Sequence, residues 1–194
     1  MRLVLIRHGE TAGNRRRQYI GVTDQDLNAR GFSQARNLRR RFHRLKVDDV
    51  YSSDRRRAAR FARLVFPGRR VRTTAGLREM DFGVMEGLTY RDGMAKYPKA
   101  YGNWLTDPAR HRLPRAERMA DFKKRVLRAL KDIVASQKNG TVAVVSHAGP
   151  IRLMINRLVR ENFWGTRVPP AGVHLIDFRK GRGKLVPVRG KSHG

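Results

Sequence analysis

Two short apolar runs, lying far apart in the chain, each stop at a histidine. Arg2 to Arg7 encloses Leu3, Val4, Leu5 and Ile6 and leads into His8-Gly9, and the β-branched run Thr141 to Ser146 leads into His147-Ala148-Gly149-Pro150. Uninterrupted runs of this length are what strands show when a sheet is covered on both faces. Each histidine is therefore expected at a strand end, and strands of this kind need helices packed on both sides of them.

The rest of the chain supplies those helices. Phe32, Ala35, Leu38, Phe42 and Leu45 recur at helical spacing between Arg30 and Leu45, with arginines on the other face. Asp48 to Ser52 reads as a second strand, Asp54 to Phe66 as a helix ended by Pro67-Gly68, and Val71 to Thr74 as a further strand. Met119, Phe122, Val126, Leu130, Ile133 and Val134 form one stripe of a long helix over Glu117 to Gln137, and a helix follows Pro150 to about Val159. Val173 to Phe178 and Leu185 to Val188 read as final strands, separated by a basic turn from Arg179 to Lys184. Residues 83–114, with helical pieces at Thr89 to Tyr97 and Tyr101 to Leu105 broken by Gly and Pro, read as a cap-like insertion. The expected architecture is an α/β fold, a three-layer α/β/α sandwich with a mostly parallel central sheet, built as one domain over residues 1–194. In such sheets ligands gather beyond the carboxyl ends of the strands, where His8 and His147 fall.

With Cys 0, thiolate nucleophiles, disulfides and Cys-ligated zinc drop out. No HExxH-like spacing surrounds either histidine, so no metal site is expected, and no apolar run is long enough to span a bilayer. A cytoplasmic location is the default expectation, no membrane partner is implied, and nothing specifies an oligomeric state. Lys+Arg 44 against Asp+Glu 16 leaves a formal charge of +28, which attracts polyanions. Arginine runs at Arg15 to Arg17, Arg39 to Arg41 and Arg55 to Arg57 are spread through the elements, without a zinc finger or aromatic RNA-binding signature. Contact with nucleic acid is accordingly expected to be non-specific, and the charge to act as a field that steers small anions.

Arg7-His8-Gly9-Glu10-Thr11 with Asn14 brings a potential nucleophile, a phosphate-binding guanidinium and a glycine into one loop. Its companions are Ser52-Ser53-Asp54 with Arg57, then Leu77-Arg78-Glu79, then Ser146-His147-Ala148-Gly149. These four motifs, in this order and over nearly the whole chain, resemble the histidine phosphatase superfamily, in the branch of cofactor-dependent phosphoglycerate mutases, fructose-bisphosphatases and alpha-ribazole phosphatases.

The resemblance implies a phosphoglycerate mutase-like fold and a catalytic set of His8, Glu79, His147, Arg7 and Arg57. Arg7, Gly9, Asn14, Gly21, Arg57 and Ala148 are implied as substrate-binding, with no cofactor and a small phosphorylated substrate. His8 would attack phosphorus, and the arginines and His147 would hold the equatorial oxygens, as magnesium does elsewhere. Glu79 would give a proton to the leaving alcohol and take one from water. For His8 to attack, its second nitrogen must donate to an acceptor such as a backbone carbonyl. His43, His111, His174 and His193 match no motif position.

Ile20 stands where mutases carry a hydroxyl residue, which favours phosphatase over mutase, and the Tyr19, Gly21, Asp24, Leu27 pattern resembles alpha-ribazole phosphatases. A broad-specificity phosphatase, mutase-type phosphoryl transfer and a non-catalytic anion binder are the alternatives. Pro114-Arg115-Ala116-Glu117-Arg118 departs from the family's glycine-rich turn, so a backbone position suited to positive φ is expected to carry a side chain there.

Overall fold

A computed structural model describes residues 1–187, apart from 138, 164, 180 and 181. Six strands form one sheet in the order β3-β2-β4-β1-β5-β6: β1 (Arg2–Arg7), β2 (Asp49–Ser53), β3 (Val71–Thr74), β4 (Thr141–Ser146), β5 (Val173–Arg179) and β6 (Arg182–Val186). The first four pair in parallel, while β5 runs antiparallel to β1 and β6 antiparallel to β5.

The apolar runs read as strands because their side chains alternate between two buried faces. Val4, Ile6, Val50, Ala143 and Val145 point into one core beneath α2 (Ala29–Arg41) and α3 (Arg56–Val65). Leu3, Leu5, Val142 and Val144 point into the other, beneath α6 (Met119–Ser136) and α7 (Ala148–Val159). Each large apolar side chain so buried stabilises the fold by about 1.5–3 kcal/mol, which holds the two-sided sandwich together. The remaining helices are α1 (Ala12–Arg15), α4 (Tyr90–Lys96) and α5 (Pro98–Thr106).

Several boundaries differ from expectation for local reasons. The first long helix stops at Arg41, where Phe42 donates the last bond to Leu38, although Leu45 still packs on the core. Pro98 begins α5 instead of breaking it, since proline suits a first helical position whose N–H has no partner. The long helix starts at Met119 because Glu117 is drawn away: its amide donates to the Asp81 carbonyl and its carboxylate binds Arg125. Arg179 and Arg182–Lys184 lie in the strands of a hairpin, so the expected basic turn is shorter than read, and Val188 and His193 lie outside the described residues. Arg115 adopts φ 59, the left-handed conformation that the missing glycine would have met without strain.

α4 and α5 enclose a small core of their own, with Met85, Tyr101, Trp104, Leu113 and Ala116 buried together and Tyr19 and Phe82 packed against them. Isolated bridges join Gln18 to Thr89 and Tyr19 to Glu86, tying this segment to the loop after α1. None of the helices among the described residues is long and apolar enough to cross a membrane.

Candidate active site

The register of the central strands builds the site. β1 pairs with β4 so that Arg7 lies opposite Ser146, and the His8 amide donates to the Ser146 carbonyl at 3.0 Å. The two following residues are thereby set side by side, and the rings of His8 and His147 stand 5.0 Å apart at 66°. On the other edge of β4, β2 ends at Ser53, whose Oγ lies 2.9 Å from Nε2 of His147.

Nδ1 of His8 is 2.7 Å from the Gly9 carbonyl, which can only accept. The ring proton must therefore sit on Nδ1, leaving Nε2 with a lone pair. Burial, followed by the charges of Arg57 and Arg7, pushes the His8 pKa well below its ordinary value, against a smaller opposing effect of the Gly9 bond. His147 is held low in the same way, first by burial and then by Arg57. Both imidazoles are neutral near pH 7.

Arg7 donates Nη1 to the Val168 carbonyl at 2.7 Å. Arg57 is fully buried; its Nη1 donates to the Thr23 carbonyl at 2.8 Å and its Nη2 to Gly21 at 2.9 Å and Ile20 at 3.3 Å. Burial lowers the Arg57 pKa to about 10, with Glu79 and Asp24 opposing, so the guanidinium keeps its charge. Nε of Arg7, Nε of Arg57 and Nδ1 of His147 are buried without a protein partner. Orphaned polar atoms of this kind in one basic cluster need an occupant, and an anion suits two guanidinium N–H groups.

Glu79 does not pair with the neighbouring Arg78, which binds Asp54 through Nε at 2.7 Å and Nη2 at 2.5 Å. Its own oxygens accept from the amides of Met80 at 3.0 Å and Gly149 at 3.1 Å, the latter in the first turn of α7. Arg125 fixes the backbone beneath it, donating to the carbonyls of Arg78 and Glu79 at 2.8 Å each. The N-terminus of α7 adds a positive dipole end at the same place.

A cavity of about 750 Å³ opens over this cluster, lined by Arg7, His8, Asn14, Glu79 and Ala148 among the expected residues. Asn14 also caps α1, its Oδ1 accepting from Thr11 N at 3.2 Å. Arg57, His147, Gly9 and Gly21 lie behind that wall. The two glycines are there for close approach: a Cβ on Gly9 would come within 2.7 Å of the Phe61 ring, and one on Gly21 within 1.9 Å of the Met80 carbonyl. His174 is part of β5, opposite Leu5, and forms no part of this cluster.

Three contributors were given no site role from the sequence. Glu86 accepts from the amides of Gly21 at 2.9 Å, Val22 at 3.1 Å and Thr23 at 3.2 Å, and from Thr23 Oγ1 at 2.7 Å. Arg125 sits in a helix whose stripe marks it only as polar. Arg152 reaches the cavity wall from α7 while its Nε donates to the Thr166 carbonyl at 3.1 Å. α5 adds Trp104, Leu105 and Thr106, and Tyr19, Met80, Phe82 and Phe122 add further apolar lining.

A family model described as the histidine phosphatase superfamily (branch 1) matches residues 3–189. The chain is 37% identical over 186 residues to an adenosylcobalamin/alpha-ribazole phosphatase of Escherichia coli strain K12, covering 93% of this chain and 91% of that one. It is 29% identical to a metal-independent phosphoserine phosphatase of Arabidopsis thaliana, over 91% of this chain and 76% of the relative. Among solved structures, the alpha-ribazole phosphatase from Shigella flexneri superposes with a TM-score of 0.89 at 33% identity, covering 96% of this chain and 95% of that one.

Proposed function

The chain belongs to the histidine phosphatase superfamily and is a phosphatase, and from that premise we propose that it hydrolyses phosphomonoesters without a metal, through a phosphohistidine at His8. The observation that carries this reading is the Nδ1 bond to the Gly9 carbonyl, which leaves a neutral imidazole with its Nε2 lone pair free to attack. In the first step Nε2 forms a bond to phosphorus as the ester P–O bond breaks, and Glu79 passes its proton to the departing oxygen. In the second, ionised Glu79 takes a proton from water, the water oxygen bonds to phosphorus, and the P–N bond breaks to restore neutral His8. Arg7 and Arg57 supply positive charge to the equatorial oxygens throughout, and neutral His147 contributes a hydrogen-bond donor.

For the substrate we favour an ester whose alcohol carries a ring system, of the alpha-ribazole phosphate kind, over phosphoserine. A cavity of about 750 Å³ whose lining includes Tyr19, Phe82 and Trp104 has room for a ring system and aromatic side chains to pack against it, which phosphoserine would leave unused.

The test is a rapid quench with phosphate-labelled substrate in the presence of chelator. Acid-labile, alkali-stable label on the native chain and none on His8→Ala is the expected result; equal labelling of both removes His8 as the nucleophile. In the same buffer, alpha-ribazole phosphate should give a higher kcat/KM than phosphoserine, and the reverse order defeats the substrate assignment alone.

A further inference from the structure

The charge of the chain is not spread evenly over its two helical layers. α2 and α3 contain no acidic residue, whereas α6 carries Asp121 and Asp132 among its basic residues. α2 and α3 cover the same core, and Arg60 of α3 lies over the Phe32 ring of α2 at 4.9 Å, so their outer surfaces form one continuous face.

Carboxylates neutralise only the end of that face nearest the active site. Asp26 pairs with both Arg56 and Arg60, and Glu10 lies 3.8 Å from Arg30. Towards the far end Arg36, Arg39, Arg40, Arg44 and Arg63 are exposed and form no ion pair among the described residues. The acids that follow are already engaged, Asp48 by the Thr141 amide and Asp49 by Arg72. Arginines in a last helical turn favour the helix dipole, which accounts for Arg39 and Arg40 of α2 and Arg63 of α3 but not for Arg36 or Arg44.

We propose that this α2–α3 face binds the phosphate backbone of a nucleic-acid duplex, without reading its sequence. The thirteen residues of α2 span about 20 Å, along which a duplex presents roughly a dozen phosphates. The cations without a carboxylate partner are arginines, Arg40 also donating to Asn37 Oδ1, and a planar guanidinium can take two phosphate oxygens at once. A bilayer is the poorer fit: the exposed large apolar side chains among the described residues are Val22, Tyr90 and Leu105, all outside both helices, so this face offers no apolar anchor. The far end of the face lies away from the strand ends that carry His8 and His147, so duplex binding and hydrolysis are separable.

The experiment compares two charge-matched variants of the full chain by fluorescence anisotropy on a labelled duplex of about 20 base pairs, over a salt series. One is Arg36→Gln/Arg39→Gln/Arg40→Gln/Arg63→Gln; the other removes four exposed cations of α6 as Lys123→Gln/Lys124→Gln/Arg128→Gln/Lys131→Gln. The first should weaken binding at least ~10-fold and flatten the salt slope by up to about four, with unrelated duplexes of DNA and RNA affected alike. The second should stay within about threefold of the parent. Both variants should hydrolyse a small phosphomonoester at the parental rate, which certifies folding. Equal losses in the two variants would mean a general field and overturn the proposal, as would tighter binding to anionic vesicles than to duplex at equal phosphate concentration.

Discussion

Arg57 and Glu86 grip one loop from opposite sides. The guanidinium takes the carbonyls of Ile20, Gly21 and Thr23, while the carboxylate takes the amides of Gly21, Val22 and Thr23. Burial lowers the pKa of Arg57, and Glu86 is among the carboxylates that oppose that lowering. Removing either partner leaves buried groups unsatisfied, so Arg57→Gln and Glu86→Gln should each destabilise the chain, and the double variant should cost less than their sum. A double-mutant cycle by urea unfolding should return a coupling of about 1–3 kcal/mol, and strict additivity would separate the two roles.

The position of Glu79 between the cavity and two backbone amides suits a proton carrier whose aim is fixed. Glu79→Gln keeps the volume and removes the proton, so alkyl phosphates should hydrolyse ~10²–10⁴-fold more slowly. Aryl phosphates, whose leaving groups need little protonation, should suffer much less. Equal losses in kcat for both classes would reduce Glu79 to a binding or structural residue.

Arg125 should matter to that same step without touching substrate. It donates to the Glu79 carbonyl at 2.8 Å and is itself held by Glu117 at 2.6 Å, so Arg125→Met should let Glu79 drift. A misplacement of about 1 Å can cost ~10²-fold, and the loss should fall on kcat for alkyl phosphates while KM changes little. Arg125→Lys should restore part of it. An unchanged kcat with lowered thermal stability would make Arg125 purely structural.

How much of this was legible in the sequence follows from what kind of signal each residue leaves. His8 and His147 announce themselves because a buried parallel strand is a continuous apolar run, and its end is therefore visible. Arg57 was placed by motif register, yet its use of Nη atoms on loop carbonyls leaves no trace in the chain. Glu86 and Arg125 were missed because a polar residue that serves backbone groups from a distant element has no periodicity or spacing to betray it. The long helix begins two residues later than read because Glu117 serves Arg125 and the Asp81 carbonyl, while α2 stops four residues short of Leu45 and α5 begins three residues before Tyr101.

Arg115 is a residue the sequence did flag. At φ 59 a side chain costs about 1–2 kcal/mol relative to a relaxed backbone, while glycine loses about 0.5–1 kcal/mol more conformational entropy on folding. Arg115→Gly should therefore stabilise the chain by about 0.5–1 kcal/mol, raising Tm by roughly 1–4 °C. A lower Tm would mean that the arginine side chain contributes more than its backbone strain removes.

Acid should weaken the fold in a window set by histidine. His8 and His147, with His174 alongside, have folded-state pKa values lowered by burial, so below the unfolded value near 6.5 the unfolded chain binds more protons than the native one. Stability is then complete above that value and falls as pH drops beneath it, by at most about 1.4 kcal/mol per pH unit for each histidine. Asp26 and Asp54, lowered from 3.8, add their losses only at more acid pH. Urea unfolding at pH 7.5 and 5.5 should show the drop, and a His8→Asn/His147→Asn chain should show a smaller one. A native chain equally stable at both values would mean that the imidazoles charge freely in the folded state.

The charge of +28 should also be visible in the approach of substrate. Arg7 and Arg152 line the cavity, so a dianionic ester meets positive potential from long range down to the site. Raising ionic strength from about 0.01 to 0.1 M shortens the Debye length from ~30 to ~10 Å and removes most of that reach. For an aryl phosphate whose kcat/KM is slowed by added viscogen, and is thus limited by encounter, kcat/KM should fall severalfold with salt while kcat stays level. A neutral viscogen that leaves kcat/KM unchanged would show that chemistry limits the rate, and the salt test then belongs to a faster substrate. With encounter established as limiting, a kcat/KM indifferent to salt would mean that the excess charge faces away from the approach path, as the distal end of the α2–α3 face does.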